Sequence, residues 1–121
     1  MTREYRCNKI ALAHHKDDLI ETFLLNVFFA REISTMLPYQ AFFQGDFYLM
    51  RPLAYIEETL LKRFAKEAGL PVINTPCPSA GNTKRKYIKD LLKTLEETHR
   101  GTKENIFKAM KHVKPDYLLR E

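Results

Sequence analysis

Long hydrophobic runs, clustered glycines and cysteines are all scarce in this 121-residue chain. No uninterrupted apolar run approaches the roughly 18 residues that a membrane span requires, so no membrane-spanning helix is expected. The opening residues, Met1 to Arg6, carry charge with no apolar stretch behind them, and no secretory signal is expected. Cys7 and Cys77 are the only cysteines, too few for a disulfide scaffold. Without an export signal they point to a reducing, cytoplasmic setting. The glycines, Gly45, Gly69, Gly81 and Gly101, are each isolated. Internal repeats and low-complexity segments are also absent.

What is present is an ordinary soluble balance, 45% hydrophobic and 29% charged. A chain of this length suits one domain and can bury roughly two-thirds of the surface it exposes when unfolded. The net charge is +5, unevenly spread: residues 1–81 hold nine charges of each sign, whereas residues 82–121 hold eleven Lys/Arg against six Asp/Glu. A neutral body over 1–81 and a basic helical extension over 82–121, within one compact domain, suggest a polyanion partner on one face. A solvated helical surface explains a surplus of this size equally well.

Hydrophobic spacing predicts the elements. Residues 8–13 read as a short buried strand. From Asp17 to Glu32 the period becomes helical, with Ile20, Phe23, Leu24, Val27 and Phe28 on a broad face suited to packing on a sheet. Residues 40–43 and 47–51 flank Gln44-Gly45-Asp46, the pattern of a hairpin. A second amphipathic helix is expected over Glu57–Ala68, with Leu60, Leu61, Phe64, Ala65 and Ala68 on one stripe, a Glu58–Lys62 pair and Gly69 just past its end. Pro71 to Asn74 reads as a strand and Thr75 to Thr83 as a loop. Two helices follow. In the first, 84–98, Ile88, Leu91, Leu92 and Leu95 face inward and Arg85, Lys86, Lys89 and Lys93 lie opposite. The second, 103–113, carries Ile106, Phe107, Met110 and Val113, with Thr102 as its expected N-cap. The order reads as α/β with a helical C-terminal extension.

The segment His14-His15-Lys16-Asp17-Asp18-Leu19-Ile20-Glu21-Thr22 carries the most chemistry. It joins a strand to a helix, at the carboxyl end of a sheet where open α/β folds place ligands. Helical spacing sets Glu21 four residues from Asp17 and three from Asp18, so three carboxylates crowd one end beside two imidazoles. Such a group suits a hydrated Mg²⁺ with its phosphates, or proton transfer. Plain helix capping by Asp17 and Asp18 is the alternative. Arg51, beside a rigid Pro52, suits a phosphate or carboxylate; a salt bridge to a helix acid suits it equally. His14 and Asp18, four apart, could start a metallohydrolase site, which would need further ligands.

The run Ile10-Ala-Leu-Ala-His-His-Lys-Asp-Asp-Leu-Ile-Glu-Thr22 closely resembles the second motif of the PP-loop ATP pyrophosphatases, in the branch of the tRNA 2-thiocytidine biosynthesis proteins. The resemblance continues through Arg51-Pro52-Leu53-Ala54-Tyr55, Pro76-Cys77-Pro78, Thr83-Lys84-Arg85, Ile88 to Leu92, Ile106-Phe107 and Ala109-Met110, and so covers almost the whole chain. It implies a partial adenine-nucleotide alpha-hydrolase-like, Rossmann-like sheet. It also implies an ATP-dependent transferase that adenylates a tRNA cytidine and replaces the AMP leaving group with sulfur. In that scheme Asp17 and Asp18 are catalytic and lie beside ATP and magnesium. His14, His15, Glu21 and Arg51 line the nucleotide. Cys77 is one of three thiolates on an iron–sulfur cluster. Lys84, Arg85, Lys86, Lys89 and Lys93 lie against the tRNA, with Tyr87 as a stacking platform or simply a boundary residue of its helix.

Departures from the family pattern are equally specific. The Ser-Gly-Gly-x-Asp-Ser loop that cradles phosphate is absent, as is the Cys-x-x-Cys pair that completes the cluster. Cys7 reads as a structural residue, and Cys77 alone cannot hold a cluster. The expectation is therefore the second half of a PP-loop enzyme, inactive or weakly active by itself, joined by an upstream half or partner subunit, or self-associating to cover exposed apolar faces. The alternative is a non-catalytic RNA- or partner-binding module of the same descent.

Overall fold

The computed structural model describes residues 7–71 and 83–119. Chain order runs β1 (Lys9–Ala11), α1 (Lys16–Leu25), a π-helical turn (Asn26–Ala30), β2 (Tyr39–Phe42), a 3₁₀ turn (Phe43–Gly45), β3 (Phe47–Met50), α2 (Glu58–Glu67), α3 (Thr83–Thr98), α4 (Thr102–Ala109) and a last 3₁₀ turn (Pro115–Tyr117). The α/β class expected from the sequence is what forms. No helix among the described residues is long and apolar enough to cross a membrane.

The three strands form one sheet in the order β1-β3-β2, β1 parallel to β3 and β3 antiparallel to β2. The hairpin lies where its turn chemistry put it. Phe43, Gln44 and Gly45 all have positive φ, 52°, 57° and 93°, a reversal for which glycine carries the least strain. Ring stacking locks the register: Phe42 on Phe47 at 5.2 Å and Tyr39 on Tyr48 at 5.3 Å. β1, expected to be a buried strand over 8–13, is instead a three-residue edge strand with only Ile10 partly covered. It has one neighbour, β3, so nothing among the described residues covers its other side.

A second correction concerns α1, which does not use the sheet as its main packing surface. Leu19 and Ile20 close on Ile88 and Leu92 of α3, Phe107 of α4 and Ala54 of the loop after β3. No strand residue is buried, so the core is helix on helix. The sheet is too small to hide a helix face, and the C-terminal helices do so. Val27 and Phe28, predicted on the same inward stripe, are 40% and 48% exposed. The π turn takes an extra residue per turn and rotates them out of line.

Helix α2 forms with its Glu58–Lys62 pair at 3.0 Å. Its end is a Schellman motif: Leu70 N–H donates to the Ala65 carbonyl and Gly69 N–H to that of Lys66, with Gly69 at φ 67°. Its apolar stripe, however, is uncovered among the described residues, with Leu60 55% and Phe64 61% exposed. At α4 the N-cap is Gly101, at φ 94°, and Thr102 is the first helical residue instead. The strand expected over Pro71 to Asn74 and the loop bearing Cys77 lie, Pro71 and Thr83 apart, outside the described residues.

Candidate functional site

Because β1 and β3 are parallel, their carboxyl ends open on the same side. His14 and His15 follow β1 there, and Arg51 follows β3 directly. Arg51 Nε donates to His14 Nδ1 at 3.2 Å and Nη1 to the Leu37 carbonyl at 2.6 Å. All three side chains are half-buried. The backbone is firm as well: Arg51 N–H donates to the Pro38 carbonyl at 2.7 Å, and a tight turn over Pro52 returns Ala54 N–H to the Arg51 carbonyl at 3.1 Å. The partners of Arg51 are thus an imidazole and a carbonyl, and the salt bridge to a helix acid does not form among the described residues. The buried Nδ1 of His15 has no hydrogen-bond partner among the described residues.

The three carboxylates of the motif do not converge; each is committed to a different neighbour. Asp17 Oδ1 accepts the Glu58 N–H at 3.0 Å, and Oδ2 accepts Lys103 Nζ at 3.2 Å. Burial acts to raise its pKa, but these donors outweigh burial and hold it below the ordinary aspartate value. Asp18 turns back on its own helix, accepting the His15 N–H at 2.8 Å with His15 Nε2 at 3.5 Å. That is an N-terminal capping contact. Glu21 is 3% exposed and points toward α3, where Oε1 takes Arg85 Nη1 at 3.1 Å and Oε2 takes Lys89 Nζ at 3.0 Å.

That last pair corrects the expected basic face. Arg85 and Lys89 do not lie opposite the apolar stripe of α3. They flank Ile88 and Leu92 on the side that meets α1, and Arg85 also donates to Thr22 Oγ1 at 3.3 Å. Burial would lower the pKa of Lys89, but its bond to Glu21 raises it. Lys84, Lys86 and Lys93 remain exposed on α3, as does Tyr87 at 58%.

A cavity of about 230 Å³ opens beside Asp17, lined by Lys16, Glu57, Thr59, Glu96, Lys103 and Glu104. Lys16 is 8% exposed, pairs with Glu104, and lies 4.8 Å over the Phe107 ring. Glu96 accepts the N–H groups of Gly101 and Lys103 at 2.8 and 3.1 Å, fixing the start of α4. Sequence reading missed this network, because its central pairs, Lys16 with Glu104 and Asp17 with Lys103, lie more than eighty positions apart and only the tertiary fold joins them. An acidic residue in the first turn of α4, Glu104, was the one local signal.

This donor set does not fit the iron–sulfur cluster that the motifs imply. Among the described residues no three His, Cys, Asp or Glu side chains are arranged to hold a metal ion, so a metallohydrolase centre does not have its ligands there. Two cysteines in the whole sequence cannot supply the three thiolates of a cluster; Cys7 is exposed, and Cys77 lies outside the described residues. For a phosphate, Arg51 and the two imidazoles form one wall, with no glycine loop to complete it.

Comparison with known proteins matches the chain to a family. The curated tRNA-cytidine(32) 2-sulfurtransferase of Polynucleobacter asymbioticus is 40% identical over 119 residues, 96% of this chain and 39% of that protein. Its namesake in Geotalea uraniireducens is 40% identical over 121 residues, 98% of this chain and 48% of that protein. The chain therefore spans less than half the length of these relatives. Among solved structures, the U34-tRNA thiolase of Methanococcus maripaludis with its 4Fe–4S cluster shares the fold, at TM-score 0.71 and 21% identity over 99% of this chain and 40% of that one. The profile described as a PP-loop domain matches residues 1–95, from ahead of the imidazole pair into α3. On that match the chain belongs to the PP-loop domain family.

Proposed function

We propose that the chain is the carboxyl-side portion of an ATP-dependent tRNA sulfurtransferase that replaces the 2-oxygen of a tRNA cytidine with sulfur in the cytoplasm. It contributes one wall of the nucleotide site and does not carry the reaction alone. The observation that carries this reading is the meeting of His14 and Arg51, 3.2 Å apart at the carboxyl ends of two parallel strands. Both stand in the runs that resemble the motifs of the tRNA 2-thiocytidine biosynthesis proteins. In this reading Arg51 and His14 contact phosphate. Asp17 and Asp18 fix the first turn of α1, which presents the imidazoles. The adenylation needs ATP and magnesium, and the thiolation needs a sulfur carrier, from a second polypeptide or upstream half bearing the glycine loop and the further cysteines.

The test is a reconstitution. The chain is mixed with Mg-ATP, a sulfide donor and unmodified tRNA, with and without the glycine-loop half of a relative, and 2-thiocytidine is read by nucleoside mass spectrometry. No product is expected from the chain alone, product with both halves, and loss of product with Arg51→Ala. Product from the chain alone would overturn the division of labour, and no product from the pair would overturn the reading. A second reading, a non-catalytic RNA- or partner-binding module, is favoured by the full engagement of Asp17, Asp18 and Glu21. It requires tRNA binding with a steep salt dependence and no calorimetric response to Mg-ATP.

A further inference from the structure

At the end of α1 the chain leaves the α-helix for the π turn Asn26–Ala30, closed by Arg31 in the left-handed region at φ 61°. Asn26 builds this turn. Its Nδ2 donates to the Ser34 carbonyl and hydroxyl, both at 3.0 Å, and its carbonyl accepts the Glu32 N–H at 3.1 Å. Single π turns recur at functional positions because they re-aim side chains that an α-helix would tuck inward. Here they are Phe28 and Phe29, two rings set edge to face with centroids 6.2 Å apart and 48% and 47% exposed. The Lys84 ammonium lies 5.1 Å over the Phe29 ring. It brings the first turn of α3 alongside, with Lys86 and Tyr87 also exposed.

Charge identifies the partner. Arg31, Lys84 and Lys86 are basic, and the acid of this segment, Glu32, accepts a hydrogen bond from the Ser34 hydroxyl. Exposed rings interleaved with cations suit a polyanion whose units also have flat faces, which is the chemistry of unpaired nucleic-acid bases. A wholly apolar protein partner would not favour a cation over the ring. We propose that Phe28 and Phe29, with Lys84 beside them, are a stacking platform for single-stranded RNA. The inference rests on the tRNA reading above and deepens it. Ten residues of α1 separate the platform from the His14 end, about 15 Å at helical rise. The platform therefore holds a base other than the one at the strand ends.

The chain contains no tryptophan, so Phe29→Trp installs a single indole whose emission a stacked base quenches. Saturable quenching is expected with an oligocytidylate of about eight nucleotides and none with duplex RNA of the same length. By fluorescence anisotropy, the Phe28→Leu/Phe29→Leu pair should bind that oligonucleotide at least about tenfold more weakly, and the Phe28→Tyr/Phe29→Tyr pair within about twofold of the parent. Unchanged RNA affinity in the leucine pair would overturn the platform and leave the sulfurtransferase reading standing. No RNA binding by the parent chain would also overturn the platform, whereas the sulfurtransferase reading falls only if the paired halves give no 2-thiocytidine. A shift of the leucine pair toward monomer in sedimentation, with RNA affinity unchanged, would make the rings an interface between copies and overturn the proposal.

Discussion

Asp17 ties three elements together through one carboxylate. Its folded pKa is held below the unfolded value, and Glu58 behaves alike: burial pushes upward, while the Lys62 hydrogen bond and Lys89 charge pull further down. A depressed carboxylate gives stability that is fully present above its unfolded pKa, about 4, and is lost as pH falls through the folded value. Urea unfolding at stepped pH should therefore show stability falling below about pH 4, with Asp17→Asn flattening part of that slope. Identical slopes for parent and variant would contradict the assignment. Glu21 makes a different prediction. Glu21→Ala leaves Arg85 and Lys89 able to turn to solvent but opens a gap under α3, for a loss of about 1–2 kcal/mol. Denaturation should show that loss with no nucleotide present, and added Mg-ATP should not alter it. A variant as stable as the parent would return Glu21 to the ligand site. The sequence made Asp17, Asp18 and Glu21 equivalent by spacing; capping by Asp18 was one alternative it offered and is what forms, whereas the partners of Asp17 and Glu21, Lys103 and the Arg85–Lys89 pair, lie too far along the chain to be placed from it.

Among the elements, the hairpin and the end of α2 were legible because their determinants are local. Gln44-Gly45-Asp46 sets a reversal, and Gly69 supplies the left-handed residue that the Schellman motif needs. No atom lies within 4 Å of a Cβ added at Gly69, so Gly69→Ala should cost only backbone strain, about 1 kcal/mol in equilibrium unfolding. A neutral result would show that the motif does not hold the helix end. The inward face of α1 was read correctly at Ile20 and wrongly at Val27 and Phe28. A 3.6 period cannot foresee the π turn, which is accompanied by a bond from Asn26 to Ser34, eight residues on.

Across the whole molecule, the apolar surface left open is the notable quantity. Leu60 and Phe64 on α2 and Phe28 and Phe29 are exposed, and among the described residues the outer edge of β1 has no strand beside it, more than single scattered residues. Sedimentation at high micromolar concentration should show self-association, reduced by Leu60→Glu with Phe64→Ser. A clean monomer under those conditions would contradict it. The basic surplus is smaller in effect than its count suggests, since Arg85, Lys89, Lys103 and Lys108 all lie against carboxylates.

The sequence by itself determined the family, the α/β class, the hairpin and the position of the imidazole pair after β1, because motifs, turn residues and helical periods are written in neighbouring positions. Only the tertiary structure decided that α1 packs on helices, that Arg51 meets His14, and that the three acids part company. Those outcomes depend on charges and faces brought together from distant parts of the chain, where Coulomb attraction and burial act on distance in space and not on separation in sequence.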